Sequence, residues 1–170
     1  MLRIILSILI CLIVIPGNNY KMADDKIKNF LKIISQIESS GGKNYNHPLI
    51  KKGPHTGHRA IGKYGLMPNT VSEIINRIRM SGASTPELQN LSKLDPHVLK
   101  TTLETNPEIE NKLAEALAQR VLEKQQDEEK AAYSWFQGHN LSPERIEEEP
   151  YKEHDYVKKY NMYKNMLSEE

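Results

Sequence analysis

Glu38 is the residue of this sequence best set up to do chemistry. It closes the run "FLKIISQIESSGG", four residues after Ile34 and eight after Phe30, so a helix through this run carries it on the apolar stripe. Three effects then act in one direction on its carboxyl group. Partial burial disfavours the charged form, the C-terminal end of a helix carries partial negative charge, and no Lys or Arg stands three or four residues before it. A carboxyl group kept protonated near neutral pH is what general acid catalysis requires. The plainer reading is a glutamate whose head group reaches water at a frayed helix end. Lys43, beyond the glycines, is near enough in sequence to fold back on it.

Histidines raise a second chemistry. His47, His55 and His58 fall in one segment, and "HTGH" spaces two of them three apart. That segment is rich in Gly and Pro, so spacing fixes little geometry, and no cysteine or evident carboxylate completes a zinc site. They read as loop histidines, with His47 a candidate for the surroundings of Glu38. No metal or cofactor is expected. The aromatic cluster Tyr133, Trp135 and Phe136 suits both core packing and stacking on a sugar face. The tail tyrosines Tyr151, Tyr156, Tyr160 and Tyr163 include a three-and-four stripe, which by default is packing.

The elements that must position these groups are helical. Acidic residues at Asp24 and Asp25 suit a helix start, and Ile27, Phe30, Leu31, Ile34 and Ile37 follow at amphipathic spacing. Gly41 and Gly42 suit its C-terminal cap. Residues 43–68 show no sustained period and read as a long loop, with room for a small hairpin; a loop of that length in a compact domain tends to be functional or mobile. Four further starts place a capping side chain before proline: Thr85-Pro86, Asp95-Pro96, Asn106-Pro107 and Ser142-Pro143. The expected fold class is all-α, with one irregular loop or small hairpin after the Glu38 helix. No internal repeat is found, and "ERIEEEP" reads as a solvated helix face or link.

Composition limits the partners. The 170 residues carry 23 Lys plus Arg against 22 Asp plus Glu, a formal charge of +1, which gives no argument for nucleic acid. With 38% hydrophobic and 26% charged residues, the chain has the make-up of one globular domain. The lone Cys11 provides no disulfide framework. It lies in an apolar run from Ile4 to Ile15 that Pro16 and Gly17 end. Twelve residues make about 18 Å of helix, short of a hydrocarbon core of roughly 30 Å. Residues 1–21 are therefore expected to be a signal peptide or N-terminal membrane anchor, and 22–170 the working domain. A start at Met22 is the alternative.

Four blocks in order carry a resemblance: "IESSGG" at 37–42, "AIGKYGLMP" at 60–68, "AAYSWFQG" at 131–138 and "YVKKYNMY" at 156–163. Together they resemble the lysozyme-like domain of soluble lytic transglycosylases and goose-type lysozymes, across nearly all of the chain after residue 27. The resemblance implies that Glu38 is the single catalytic acid/base and that Ser39 orients it or contacts a sugar. It implies that Gly65, Leu66 and Met67 form one wall of a glycan groove. It also implies that Tyr133, with Ser134 where the family has asparagine, reaches toward the reaction centre, and that Tyr156 and Tyr160 lie on the closing side. Pro68 stands where many relatives have a glutamine, and Trp135-Phe136 where a small-residue turn is commoner.

Cleavage of a glycosidic bond needs a proton for the leaving oxygen and stabilisation of an oxocarbenium-like transition state, tasks commonly shared by two carboxylates. Glu73, Glu87 and Asp95 read instead as surface or capping residues. One acid suffices when the substrate assists itself. The resemblance then implies cleavage of peptidoglycan between N-acetylmuramic acid and N-acetylglucosamine, leaving anhydro-muramic ends. Two alternatives stay open: a hydrolytic muramidase on the same bond, and a catalytically silent wall-binding or assembly protein. The expected place is the periplasm or cell envelope, free or membrane-anchored, or the virion if the gene is a phage's.

Overall fold

The computed structural model describes residues 17–51, 56–82, 86–91 and 93–169. The apolar run with Cys11, His55 and the Thr85 cap lie outside the described residues. Helix α1 spans Gly17–Ser39 and α2 Pro68–Met80. Helix α3 spans Pro86–Leu91, α4 Pro96–Thr105 and α5 Pro107–Gln125. Then come α6, Glu128–Gln137, and α7, Pro143–Glu147. A 3₁₀ turn at Tyr151–Glu153 leads into α8, Asp155–Ser168. Among the described residues the fold is all-α, and Ile61 and Leu66 form an isolated antiparallel bridge.

The core forms where α1, α5, α6 and α8 meet. The stripe on α1 buries Phe30, Leu31 and Ile34, as the spacing requires. Leu113, Leu117 and Val121 of α5 face it, and Ala131 and Ala132 let α6 approach α5 closely. Phe30 is also the hinge of an aromatic group, with ring centroids 5.9 Å from Trp135 and 5.6 Å from Tyr160. Burying each such side chain contributes roughly 1.5–3 kcal/mol before entropy is counted. A second layer, α2 to α4, packs Val71, Ile75, Leu91, Leu99 and Leu103 against α2's neighbours and α5.

Helix ends depart from expectation in two places. α1 runs on through Asp24 and Asp25 to Gly17, so these acidic residues are interior to the helix and not its start. Asn106 does not cap α5. Its amide donates to the Thr102 carbonyl at 2.7 Å and so closes the end of α4. Asp95 and Ser142 do cap, accepting the His97 and Arg145 N–H groups.

The long loop between α1 and α2 is held by few, well-placed bonds. Ser40, Gly41 and Gly42 turn it in left-handed conformations after α1. Across its outer lobe Gly57 N–H donates to Ile50 O and Ile50 N–H donates to His58 O. Its inner turn closes at the Ile61–Leu66 bridge, with N–H to carbonyl distances of 2.8 and 2.9 Å in the two directions. Pro68 follows as the first residue of α2, where a missing N–H costs nothing.

Candidate active site

The last turn of α1 delivers Glu38 to the inner loop turn. Ser39, the next residue, is buried, and its hydroxyl donates to Lys63 O at 2.7 Å while accepting from Gly42 N at 2.8 Å. Ser35 O, at 3.1 Å, is a second acceptor within its reach. This one side chain therefore ties the helix end to the turn that crosses it. Gly65, φ +65°, lies in that turn, and a β-carbon there would stand 2.7 Å from Glu38 Cδ. The glycine is required twice over, by its left-handed backbone and by the carboxylate in its side-chain space.

Glu38 is half-buried. Its Oε1 accepts the Tyr156 hydroxyl at 2.7 Å, which leaves Oε2, beside Gly65, as the oxygen to carry a proton. Burial pushes the Glu38 carboxyl above its ordinary value, and the Tyr156 bond, His47 and Lys159 pull only partly against it. The Tyr156 hydroxyl is raised well above its own usual range by burial and by the same carboxylate, so it acts as a donor.

A cleft of about 190 Å³ opens over Glu38. Gly65, Leu66 and Met67 line one side, and Trp135 with Phe136 the other. Trp135 is fixed by its Nε1–H on Tyr64 O at 3.2 Å. Phe136 is half-exposed and stacks on Tyr156, with centroids 5.0 Å apart and planes at 29°. Gln137, Gly138, His139 and Thr70 are shared with an adjoining cavity of about 620 Å³.

Glu73 and buried His139 sit at that junction, Oε2 to Nε2 2.8 Å. Asn140 also bonds Oε2, while Arg77 bonds Oε1 through two nitrogens at 2.8 and 3.0 Å. Burial raises the Glu73 carboxyl, but the bonds from Arg77, His139 and Asn140 outweigh it and hold it at about 2. Glu73 is thus no free surface residue, as its exposed-looking helix position suggests, but the anchor of a small polar cluster.

The structure brings Glu38, Gly65, Leu66, Met67 and Tyr156 together. Two expected site residues are not brought there. Tyr133 is buried in a separate cluster with Ile146 and Val157, its hydroxyl bonded to Glu149 and its pKa raised by burial and that carboxylate to about 12. Ser134 is fully buried and donates to Gly138 O at 3.3 Å. On α6 a step of two to three residues moves around the cylinder, so Trp135 and Phe136 take the cleft face that Tyr133 and Ser134 do not reach. Tyr160, also considered for the groove, is core, its hydroxyl on Glu128 Oε2 at 3.1 Å. His47 is buried, its Nε2 2.7 Å from Gly62 O, and contributes to the field at Glu38.

His139 and Glu110 escaped sequence reasoning. Neither belongs to a motif, and Glu110 reads as an ordinary acid in the first turn of a helix. Among the described residues no group of three or more His, Cys, Asp or Glu could hold a metal ion, and no helix is long and apolar enough to cross a membrane. No protein-family model, curated protein or solved structure matches this chain.

Proposed function

We propose that this chain is a peptidoglycan lytic transglycosylase with a lysozyme-like fold. The observation that carries the reading is the Glu38–Tyr156 pair beneath a cleft with one aromatic wall. Tyr156 holds one oxygen, burial favours the protonated form, and the other oxygen is left to act on a substrate. Oε2 gives its proton to the glycosidic oxygen between N-acetylmuramic acid and N-acetylglucosamine as the C1–O bond breaks. The N-acetyl carbonyl of the muramic sugar closes on C1. Glu38, now a carboxylate, takes the proton of that sugar's 6-hydroxyl as O6 bonds to C1 and the acetamido group leaves. The proton is returned to Glu38 and a 1,6-anhydro end results.

The ring faces of Trp135 and Phe136 are suited to the apolar face of a pyranose. Ser39, being buried and bonded to backbone, orients Glu38 and has no part in holding sugar. The other carboxylate of the two cavities, Glu73, speaks for a sugar hydroxyl over water as acceptor. An activated water would need a second free carboxylate roughly 6.5–9.5 Å from the acid, and both Glu73 oxygens are occupied by donors. The substrate lies in the cell envelope, which gives residues 1–21 a role in export or anchoring, or the protein a place on a phage particle.

The test is incubation of purified glycan strands with wild type and Glu38→Gln, followed by mass analysis. Wild type should release anhydro-ended fragments and the variant should be slower by about 10²–10⁴-fold, the range of general acid–base catalysis. Reducing ends would make the enzyme a muramidase. Binding without cleavage by either protein would make it a wall-binding protein.

A further inference from the structure

We infer that Glu110 is a positioning residue for Glu38, gripping the Gly62–Gly65 turn from a second helix so that the turn seats the acid. The inference rests on the reading of Glu38 as the acid. The two glycines of the turn have matching conformations, φ +66° at Gly62 and +65° at Gly65, and each lacks a β-carbon where a carboxylate stands. At Gly65 that carboxylate is Glu38. At Gly62 it is Glu110, whose Cδ would lie 2.5 Å and Oε2 2.7 Å from an added β-carbon.

Glu110 is buried and projects from the first turn of α5. Its Oε1 accepts the Tyr64 N–H at 3.1 Å, and the Lys63 N–H also bonds the carboxylate. The site uses the same two residues: the Lys63–Tyr64 peptide has its N–H on Glu110 and its carbonyl on Ser39, and the next peptide carries the bond to the cleft wall. Lys63 O takes the Ser39 hydroxyl, and Tyr64 O takes the indole N–H of Trp135 on the cleft wall. The Tyr64 ring is fixed in turn by its hydroxyl on Asn111 Oδ1 at 2.9 Å, one residue after Glu110. Removing the Glu110 grip therefore loosens the acid's seat through the shared Lys63–Tyr64 peptide and the opposite wall through the carbonyl of Tyr64.

Charge and reach can be separated. Glu110→Gln removes the charge but keeps a carbonyl acceptor at the same length, whereas Glu110→Asp keeps the charge and withdraws it by one methylene. Facing Glu38 are Tyr156, His47 and Lys159; facing Glu110 are Lys63, Tyr64 and Glu104. The Glu38 titration is followed by carboxyl NMR, amide exchange is read at Lys63–Gly65, and kcat and KM are measured on glycan strands.

If Glu110 positions, Glu110→Gln stays near wild type in all three. Glu110→Asp then exchanges faster in the turn, titrates Glu38 lower because water reaches it, and loses about 10²-fold in kcat with KM within about threefold, the cost of an ångström's misplacement. The reverse pattern would mark a charge effect and overturn the inference, as would equal behaviour of both variants. Should Glu110→Asp fail to fold, Gly62→Ala presses the same seat from the turn side, and no change in exchange or titration there overturns the inference. Exchange and titration need no substrate. A wild type that cleaves no glycan therefore refutes the proposed function and leaves these two measurements to decide the role of Glu110.

Discussion

Tyr156 spends its hydroxyl proton on one oxygen of Glu38, and this bond both orients the acid and limits how far its pKa rises. Tyr156→Phe removes a donor that favours the charged form, so the Glu38 pKa should climb further. The proposed general acid works only while protonated, so the alkaline limb of the pH–rate profile for glycan cleavage should move to higher pH. At the same time kcat should fall by about tenfold, because Oε1 loses its orienting partner. A limb moving to lower pH would mean that Tyr156 does not bond the ground-state carboxyl. Tyr156 sits four residues from Tyr160, yet one hydroxyl serves the cleft and the other serves Glu128. Periodicity places both on the buried face and says nothing of which acid each one meets.

The inner loop turn is the element on which the site depends. Gly65→Ala puts an L-residue into the left-handed region, at about 1–2 kcal/mol, and drives a carbon into the Glu38 carboxylate. Thermal unfolding should register a lower midpoint, and glycan cleavage should fall far more than stability does; a variant of wild-type activity would show that Glu38 has room to move. What the sequence discloses about such elements is uneven. The stripe from Phe30 to Ile34, the Gly41–Gly42 turn and the caps at Asp95 and Ser142 are local physics, and all are legible. Asp24 and Asp25 mislead because nothing local stops α1 from extending back to Gly17. Asn106 misleads because one amide can serve the helix before it or the one after it, and Thr102 O lies nearer. Tyr133 lies in the segment "AAYSWFQG", but its direction is set by α7 and the segment around Glu149, which no short motif encodes. Glu110 meets its glycine across 48 residues of chain (62 to 110), a pairing visible only in space.

For the molecule as a whole, three glutamates set opposing trends with pH. Glu38 and Glu110 have folded pKa values raised above 4.5, mainly by burial. Their contribution is fully present below the unfolded value and is lost as pH rises through the folded one. Glu73, held at about 2, behaves oppositely and loses its contribution as pH falls from 4.5 toward that value. Glu38→Gln mimics the protonated acid and keeps an acceptor for Tyr156. Its urea midpoint should exceed that of wild type at pH 8, with the difference shrinking toward pH 4.5; a gap that widens on acidification would contradict the burial of Glu38.

The chain contains a single tryptophan, Trp135, and it stands in the cleft wall with its indole N–H on the carbonyl of Tyr64. The molecule thus has its one strong fluorophore at the place where a ligand would rest. Its emission should therefore change when a glycan fills the candidate cleft or the turn shifts, an optical readout that needs no label.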